Sequence, residues 1–141
     1  MAQDKDIGTP RQAGKVVVKF GGSSIGGMEQ IDAFARQISE LRMRGLTPIV
    51  LHGGGPEITE EMKRCGLPVK KVAGLRITDD VTLQIAKSVL SRINDRVVVS
   101  LRNAGLKAIG VAGSEADTLV ARKMDPVLVD GPAGKDAVDL G

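Results

Sequence analysis

Two glycine clusters, one lysine and one arginine are the residues of this chain whose types and spacing could do chemistry. Lys19-Phe20-Gly21-Gly22-Ser23-Ser24 follows an apolar run, and so does His52-Gly53-Gly54-Gly55-Pro56. Glycine loses more conformational freedom on folding than any other residue, so runs of two and three need a reason. With no Cβ in the way, successive backbone N–H groups can turn toward one anion. Pro56 suits the first turn of a helix, whose positive dipole end would face the same spot. Lys19 would neutralise charge on a transferring phosphoryl group, while the amides of Gly54 and Gly55 would hold its oxygens. The competing reading is a tight strand-to-helix turn with no ligand. Neither loop carries G-x-x-x-x-G-K-S/T, and G-x-G-x-x-G follows neither run.

Arg76 is the other candidate. In Gly74-Leu75-Arg76 it stands at a hairpin tip, where a guanidinium could make a planar two-pronged contact with a carboxylate or could simply be solvated. His52 is read as orienting the glycine loop through a hydrogen bond, because phosphoryl transfer to a carboxylate removes no proton. Lys70 and Lys71 read as a solvated edge. With one histidine and one cysteine, neither a two-histidine metal site nor an internal disulfide can form within one chain, and no metal ligands are assigned. Cys65, between Met62 and Leu67, is expected to be a small buried residue.

The elements that must position these groups follow from periodicity. Residues 1–14 carry no period and read as a loose arm. Val16 to Phe20 opens with three consecutive valines and reads as a buried strand. Ile31, Phe34, Ala35, Ile38 and Leu41 fall at helical spacing between Met28 and Arg44, and Gly45 ends that helix. Pro48 to Leu51 is apolar without alternation, which predicts a second strand buried on both faces. The unit is β-α-β, with parallel strands and a right-handed crossover. In such sheets ligands bind beyond the carboxyl ends of the strands, where both glycine clusters lie.

Further along, a helix from Pro56 through Ile58 and Met62 should stop at Gly66. Residues 68–77 fit a hairpin turning near Gly74. Thr78 is read as the cap of a helix running to about Asn103, with Asp79 and Asp80 in its first turn and a break near Asn94. Lys107 to Val111 is expected to be a third core strand. Thr118 to Lys123, Val127 to Val129 and Val138 to Leu140 look like short hairpin strands. The class is α/β.

Composition narrows the partners. Lys and Arg total 20 against 17 acidic residues, with two Phe and no Tyr or Trp, which gives no basic and aromatic platform for nucleic acid. No window approaches the roughly 18 apolar residues of a membrane span. The polar, acidic start lacks the cationic then apolar run of a signal peptide, so a cytoplasmic protein is expected.

The stretches Val17-Val18-Lys19-Phe20-Gly21-Gly22, Ile49 to Ile58 and Val69 to Thr78 together resemble the amino acid kinase family, from about Lys15 to Gly141. Within it they are most similar to the branch acting on N-acetyl-L-glutamate. The resemblance implies a three-layer α/β sandwich around a central, mostly parallel sheet. It also implies ATP-dependent phosphorylation of a side-chain carboxylate in arginine biosynthesis, with Mg2+ arriving on the nucleotide. By motif position, Lys19 would stabilise the transferring phosphoryl group, and Gly21, Gly22 and Gly53 would lie along the phosphates. Gly54 and Gly55 would give amides to substrate oxygens, and Arg76 would clamp the α-carboxylate. A homodimer through the helix near 79–93 is implied, and the lack of a helix before the first strand disfavours an arginine-inhibited hexamer. Kinases acting on carrier-bound aminoadipate or glutamate share the second and third stretches, and the first is nearer the aspartate kinase version. Family members are roughly twice as long, so the expectation is an N-terminal, amino-acid-binding half over 15–141. The nucleotide pocket would lie in a missing C-terminal half, supplied by a partner or absent in a binding module.

Overall fold

The computed structural model describes residues 14–21, 25–115, 118–131 and 134–141. The expected arm over 1–14 falls outside them but for Gly14, as do Gly22, Ser23 and Ser24. The β-α-β unit forms as anticipated: β1 (Lys15–Phe20), α1 (Met28–Met43) and β2 (Thr47–His52). β1 and β2 pair in parallel, with Val18 opposite Val50 and Phe20 opposite His52. Gly45, at φ +82°, supplies the left-handed turn that ends α1 and returns the chain to the sheet. Next come α2 (Gly55–Arg64), the short hairpin β3 (Lys71–Val72) and β4 (Leu75–Arg76), and α3 (Asp80–Asn103). The hairpin turns through Ala73 and Gly74, both at positive φ.

The core lies between the inner face of the sheet and the helices. Phe20 at the end of β1 stacks on Phe34 of α1 with ring centroids 4.1 Å apart, and α3 contributes Val89, Ile93, Val97 and Leu101. Ile58 and Met62 carry α2 into the same cluster. Ser39 Oγ donates to the Ala104 carbonyl at 3.1 Å, tying α1 to the end of α3.

Several expectations need correction. β2 is not buried on both faces: Ile49 and Leu51 are exposed beside Val17 of β1, and only the opposite face of the pair packs. Among the described residues the helices pack against one face of the parallel sheet. Lys107 to Val111 pairs with no described strand. It lies along α3, where Arg102 Nε donates to the Ala108 carbonyl at 3.0 Å and Gly110 sits over Asn94, leaving Ile109 80% exposed. α3 runs unbroken through Asn94. The Asn94 amide is turned toward Gly110 instead of competing for its own helix backbone. The cap of α3 is Asp79, whose Oδ1 accepts from Thr82 N–H at 2.8 Å, whereas Thr78 Oγ1 donates to the Arg76 carbonyl. Cys65 is exposed, because α2 ends at Arg64 and Gly66, at φ +70°, turns the chain outward.

Beyond 113 the one hairpin among the described residues is β5 (Val127–Gly131) with β6 (Gly134–Val138), antiparallel with Val127 opposite Val138. Val138 therefore ends a strand instead of starting one. Residues 118–123 do not form a strand, and Leu119 and Val120 are exposed.

Candidate functional site

The parallel pairing of β1 and β2 brings their carboxyl ends side by side. The Gly53 N–H donates to the Phe20 carbonyl at 3.3 Å, so the second glycine loop leaves the sheet beside the first. Phe20, held by its stack on Phe34, fixes where Gly21 begins. Lys19 is exposed, on the face shared with Val17 and across from Leu51. His52 Nδ1 lies 3.1 Å from the Gly53 carbonyl, in the orienting role read for it; since a carbonyl only accepts, that nitrogen donates.

The three glycines of the second loop serve different ends. A Cβ on Gly54 would lie 2.7 Å from Ile93 Cδ1 and 3.0 Å from Leu90 Cδ2, so this position is glycine because α3 packs against it. A Cβ on Gly55, or on Gly21, would meet nothing within 4 Å. Packing gives no reason for those two, and both face open space at the strand ends. Gly54 caps α2 without a side-chain hydrogen bond, and Pro56 occupies the first turn with Glu57. First-turn amides of a helix have no intrahelical acceptor, so this end of α2 offers donors and a positive dipole to an anion.

Arg76 reaches the same helix end. From β4, its Nη2 donates to the Gly55 carbonyl at 3.2 Å and to Thr59 Oγ1 at 2.8 Å, and its Nη1 donates to Met62 Sδ at 3.1 Å. The structure thus joins Arg76 to Gly55, and Gly53 to the end of β1; it records no contact between Lys19 and Arg76. A shallow cavity of about 400 Å³ opens here, lined by Gly55, Pro56, Thr59, Glu60 and Lys71. Lys71, read as a solvated edge, is exposed but forms one wall of it. A larger cleft of about 580 Å³ lies between α2 and α3 and is lined by Glu57, Glu61, Arg92 and Arg96 among others. Across it Arg92 stands 3.5 Å from Glu61, whose carboxyl is held below its usual range first by its hydrogen bond to Arg64, while Glu57 Oε2 and Arg96 Nε are buried there without a hydrogen-bond partner. We place the candidate site at the smaller cavity, where the glycine loop meets the helix end and where Gly55 and Thr59, two of its lining residues, accept the Arg76 guanidinium.

Sequence reasoning missed Thr59 and Met62. The signal for Thr59 was present, because it stands one helical turn after Gly55 and so on the same face. Nothing in the chain's order announced that an arginine from β4 would dock there.

Comparison with known proteins gives one consistent answer. The model of the amino acid kinase family matches residues 14–139. An acetylglutamate kinase from Methanospirillum hungatei is 41% identical over 127 residues, 89% of this chain and 43% of the relative. One from Methanothrix thermoacetophila is 44% identical over 127 residues, again 43% of its length, and one from Bradyrhizobium diazoefficiens is 40% identical over 128. The chain therefore spans less than half the length of the curated relatives it matches. Among solved structures, smu.665 from Streptococcus mutans is similar with TM-score 0.55 and 29% identity over 65% of this chain and 37% of that one. N-acetylglutamate synthase from Neisseria gonorrhoeae, complexed with coenzyme A and N-acetyl-glutamate, shares the fold with TM-score 0.60 and 20% identity over 68% of this chain and 22% of that one.

Proposed function

This chain belongs to the amino acid kinase family, and on that premise we propose that it supplies the acid- and phosphoryl-binding half of a kinase for N-acetyl-L-glutamate. ATP supplies the γ-phosphoryl group, which passes to the side-chain carboxylate of the acid and leaves an acyl phosphate and ADP. The observation that carries the reading is Arg76 seated on the first turns of α2 beside Gly55. A guanidinium there can hold the α-carboxylate by a planar contact while the side-chain carboxylate lies along the glycine loop. The open amide of Gly55, with that of Gly54, would hold acid and phosphoryl oxygens at the helix end, and Lys19 would neutralise charge that develops in transfer. Gly21, Gly22 and Gly53 would line the phosphates. The open space at Gly21 and Gly55 fits a phosphoryl group, and Mg2+ would arrive on the nucleotide's oxygens.

The sheet favours completion by a further segment. Val17, Ile49 and Leu51 form an exposed apolar face where relatives carry more than twice this length. A C-terminal half covering that face would bring the adenine pocket. Association of two copies through α3, which exposes Val81 and Leu83 in its first turns, is the further partner proposed.

The test is acyl-phosphate formation from ATP, Mg2+ and N-acetyl-L-glutamate, trapped with hydroxylamine, using this chain alone and with the C-terminal half of an acetylglutamate kinase. Product that needs both polypeptides supports the reading. Product from the chain alone removes the missing-half part of it. No product with N-acetyl-L-glutamate, but product with aspartate or carrier-bound aminoadipate, would replace the acceptor.

A further inference from the structure

The guanidinium of Arg76 is held along one edge only. Its two terminal nitrogens face α2, with Nη1 on Met62 Sδ and Nη2 on Thr59 Oγ1 and the Gly55 carbonyl. Thr59 Oγ1 donates to that same carbonyl at 2.9 Å, so the three polar atoms close a triangle. The two oxygens subtend an acute angle at Nη2, so one N–H can be shared between them. A guanidinium carries five N–H groups in a rigid plane. With the terminal edge on α2, the Nε–H and the second Nη2–H lie parallel along the remaining edge, the pair that a carboxylate accepts in two-pronged fashion.

Of the three anchors, the carbonyl belongs to backbone and the thioether is a weak acceptor. Thr59 is therefore the side chain that sets the roll of the guanidinium. Its hydroxyl accepts from Arg76 and donates to Gly55, which gives the contact a defined direction. We propose that Thr59 is the positioning residue of Arg76, turning the free edge of the guanidinium toward the α-carboxylate and so setting selectivity for acids that carry one. The inference rests on the proposed reading of Arg76 as the carboxylate clamp and extends it to a residue outside every motif above.

The test compares two acids on the full chain by calorimetry: N-acetyl-L-glutamate, and 4-acetamidobutanoate, which lacks the α-carboxylate. The unsubstituted chain should prefer the first. Thr59→Val keeps the shape and removes the hydroxyl. It should lower that preference about five- to tenfold, the change expected from one ordinary hydrogen bond, and leave the Kd of 4-acetamidobutanoate unchanged. Thr59→Ser should restore the preference. Should valine crowd the helix and unfold it, Thr59→Ala takes its place under the same criterion. Retention of the full preference without the hydroxyl, or equal weakening of both acids, would overturn the Thr59 assignment while leaving Arg76 in place. An unsubstituted chain that fails to distinguish the two acids removes the Arg76 reading itself, and Thr59 with it.

Discussion

Gly54→Ala and Gly55→Ala change adjacent residues by the same methyl group and are expected to behave oppositely. At Gly54 the methyl would arrive 2.7 Å from Ile93 Cδ1 and 3.0 Å from Leu90 Cδ2, well inside the roughly 3.5–4.0 Å of a relaxed carbon contact. Ile93 is buried and Leu90 packs against the core, so neither can swing into solvent. Overpacking of this kind costs about 1–3 kcal/mol. At Gly55 the methyl meets nothing within 4 Å, and alanine is favoured over glycine in a helix by up to about 1 kcal/mol, so stability should hold or rise slightly. Ile93→Val removes the offending Cδ1 at a cost of about 0.5–1.5 kcal/mol by itself. Combined with Gly54→Ala, it should show favourable coupling of at least about 0.5 kcal/mol. Urea unfolding followed by far-ultraviolet circular dichroism, at constant m, measures all four. Equal costs at positions 54 and 55, or strict additivity in the double variant, would refute the assignment of Gly54 to packing. Binding of N-acetyl-L-glutamate should show the reverse order, weakened by Gly55→Ala while stability is kept, because the open space beside Gly55 is the space proposed for the acid.

Other expectations follow from single contacts. Arg76→Ala should weaken binding of N-acetyl-L-glutamate by about 1.5–3 kcal/mol, the range for a hydrogen bond to a charged group, and an unchanged Kd in calorimetry would remove the clamp. Met62→Ala, at a side chain fully buried between α2 and the core, should cost about 2–5 kcal/mol in urea unfolding. The Asp79 carboxyl is held below its usual range by the Thr82 hydrogen bonds, side chain first. A depressed native pKa means that this stabilisation is complete above the ordinary aspartate value of 3.8 and is lost as pH falls through the native one. Asp79→Asn, which keeps a capping side chain but does not titrate, should flatten the acid limb of Tm against pH; an unaltered limb would assign the loss elsewhere.

The parts legible in the chain are those carried by local pattern. The β-α-β unit was readable because three valines, a helical apolar stripe and Gly45 agree on one order, and the hairpin because Gly74 permits its turn. Gly21 and the second glycine loop stand at the strand ends, as their place after apolar runs indicates. What failed depended on neighbours distant in sequence. Whether Ile49 and Leu51 are buried depends on what lies over the outer face of the sheet, and an apolar run looks the same either way. Val111 and Ile109 look like a core strand until α3 takes the segment sideways through Arg102 and Asn94. Gly54 and Gly55 are indistinguishable as letters; α3 alone makes one a packing residue and leaves the other open. Thr59 became visible once Arg76 was seen to dock on it.

Lys19 offers a way to separate recognition from transfer. It stands one residue before the end of β1 on the exposed face of the sheet, in a row with Val17, and forms no ion pair among the described residues. No packing or hydrogen bond of the fold rests on its ammonium, so Lys19→Ala should leave Tm nearly unchanged. The proposed hold on the acid is Arg76, carried by a different strand and fastened to α2, so the Kd of N-acetyl-L-glutamate should be unchanged too. Turnover in the complemented kinase should instead fall by about 10²–10³, the usual loss when one group that stabilises transition-state charge is removed. Loss of acid affinity would move Lys19 into the acid site, and unimpaired turnover would take it out of the chemistry. Its neighbours supply one more control. A segment that covers Val17, Ile49 and Leu51 would border Lys19, so a slower rate could reflect weaker assembly. Titrating the C-terminal half to saturation decides between them: a deficit that disappears at saturation belongs to the contact, and one that persists belongs to phosphoryl transfer.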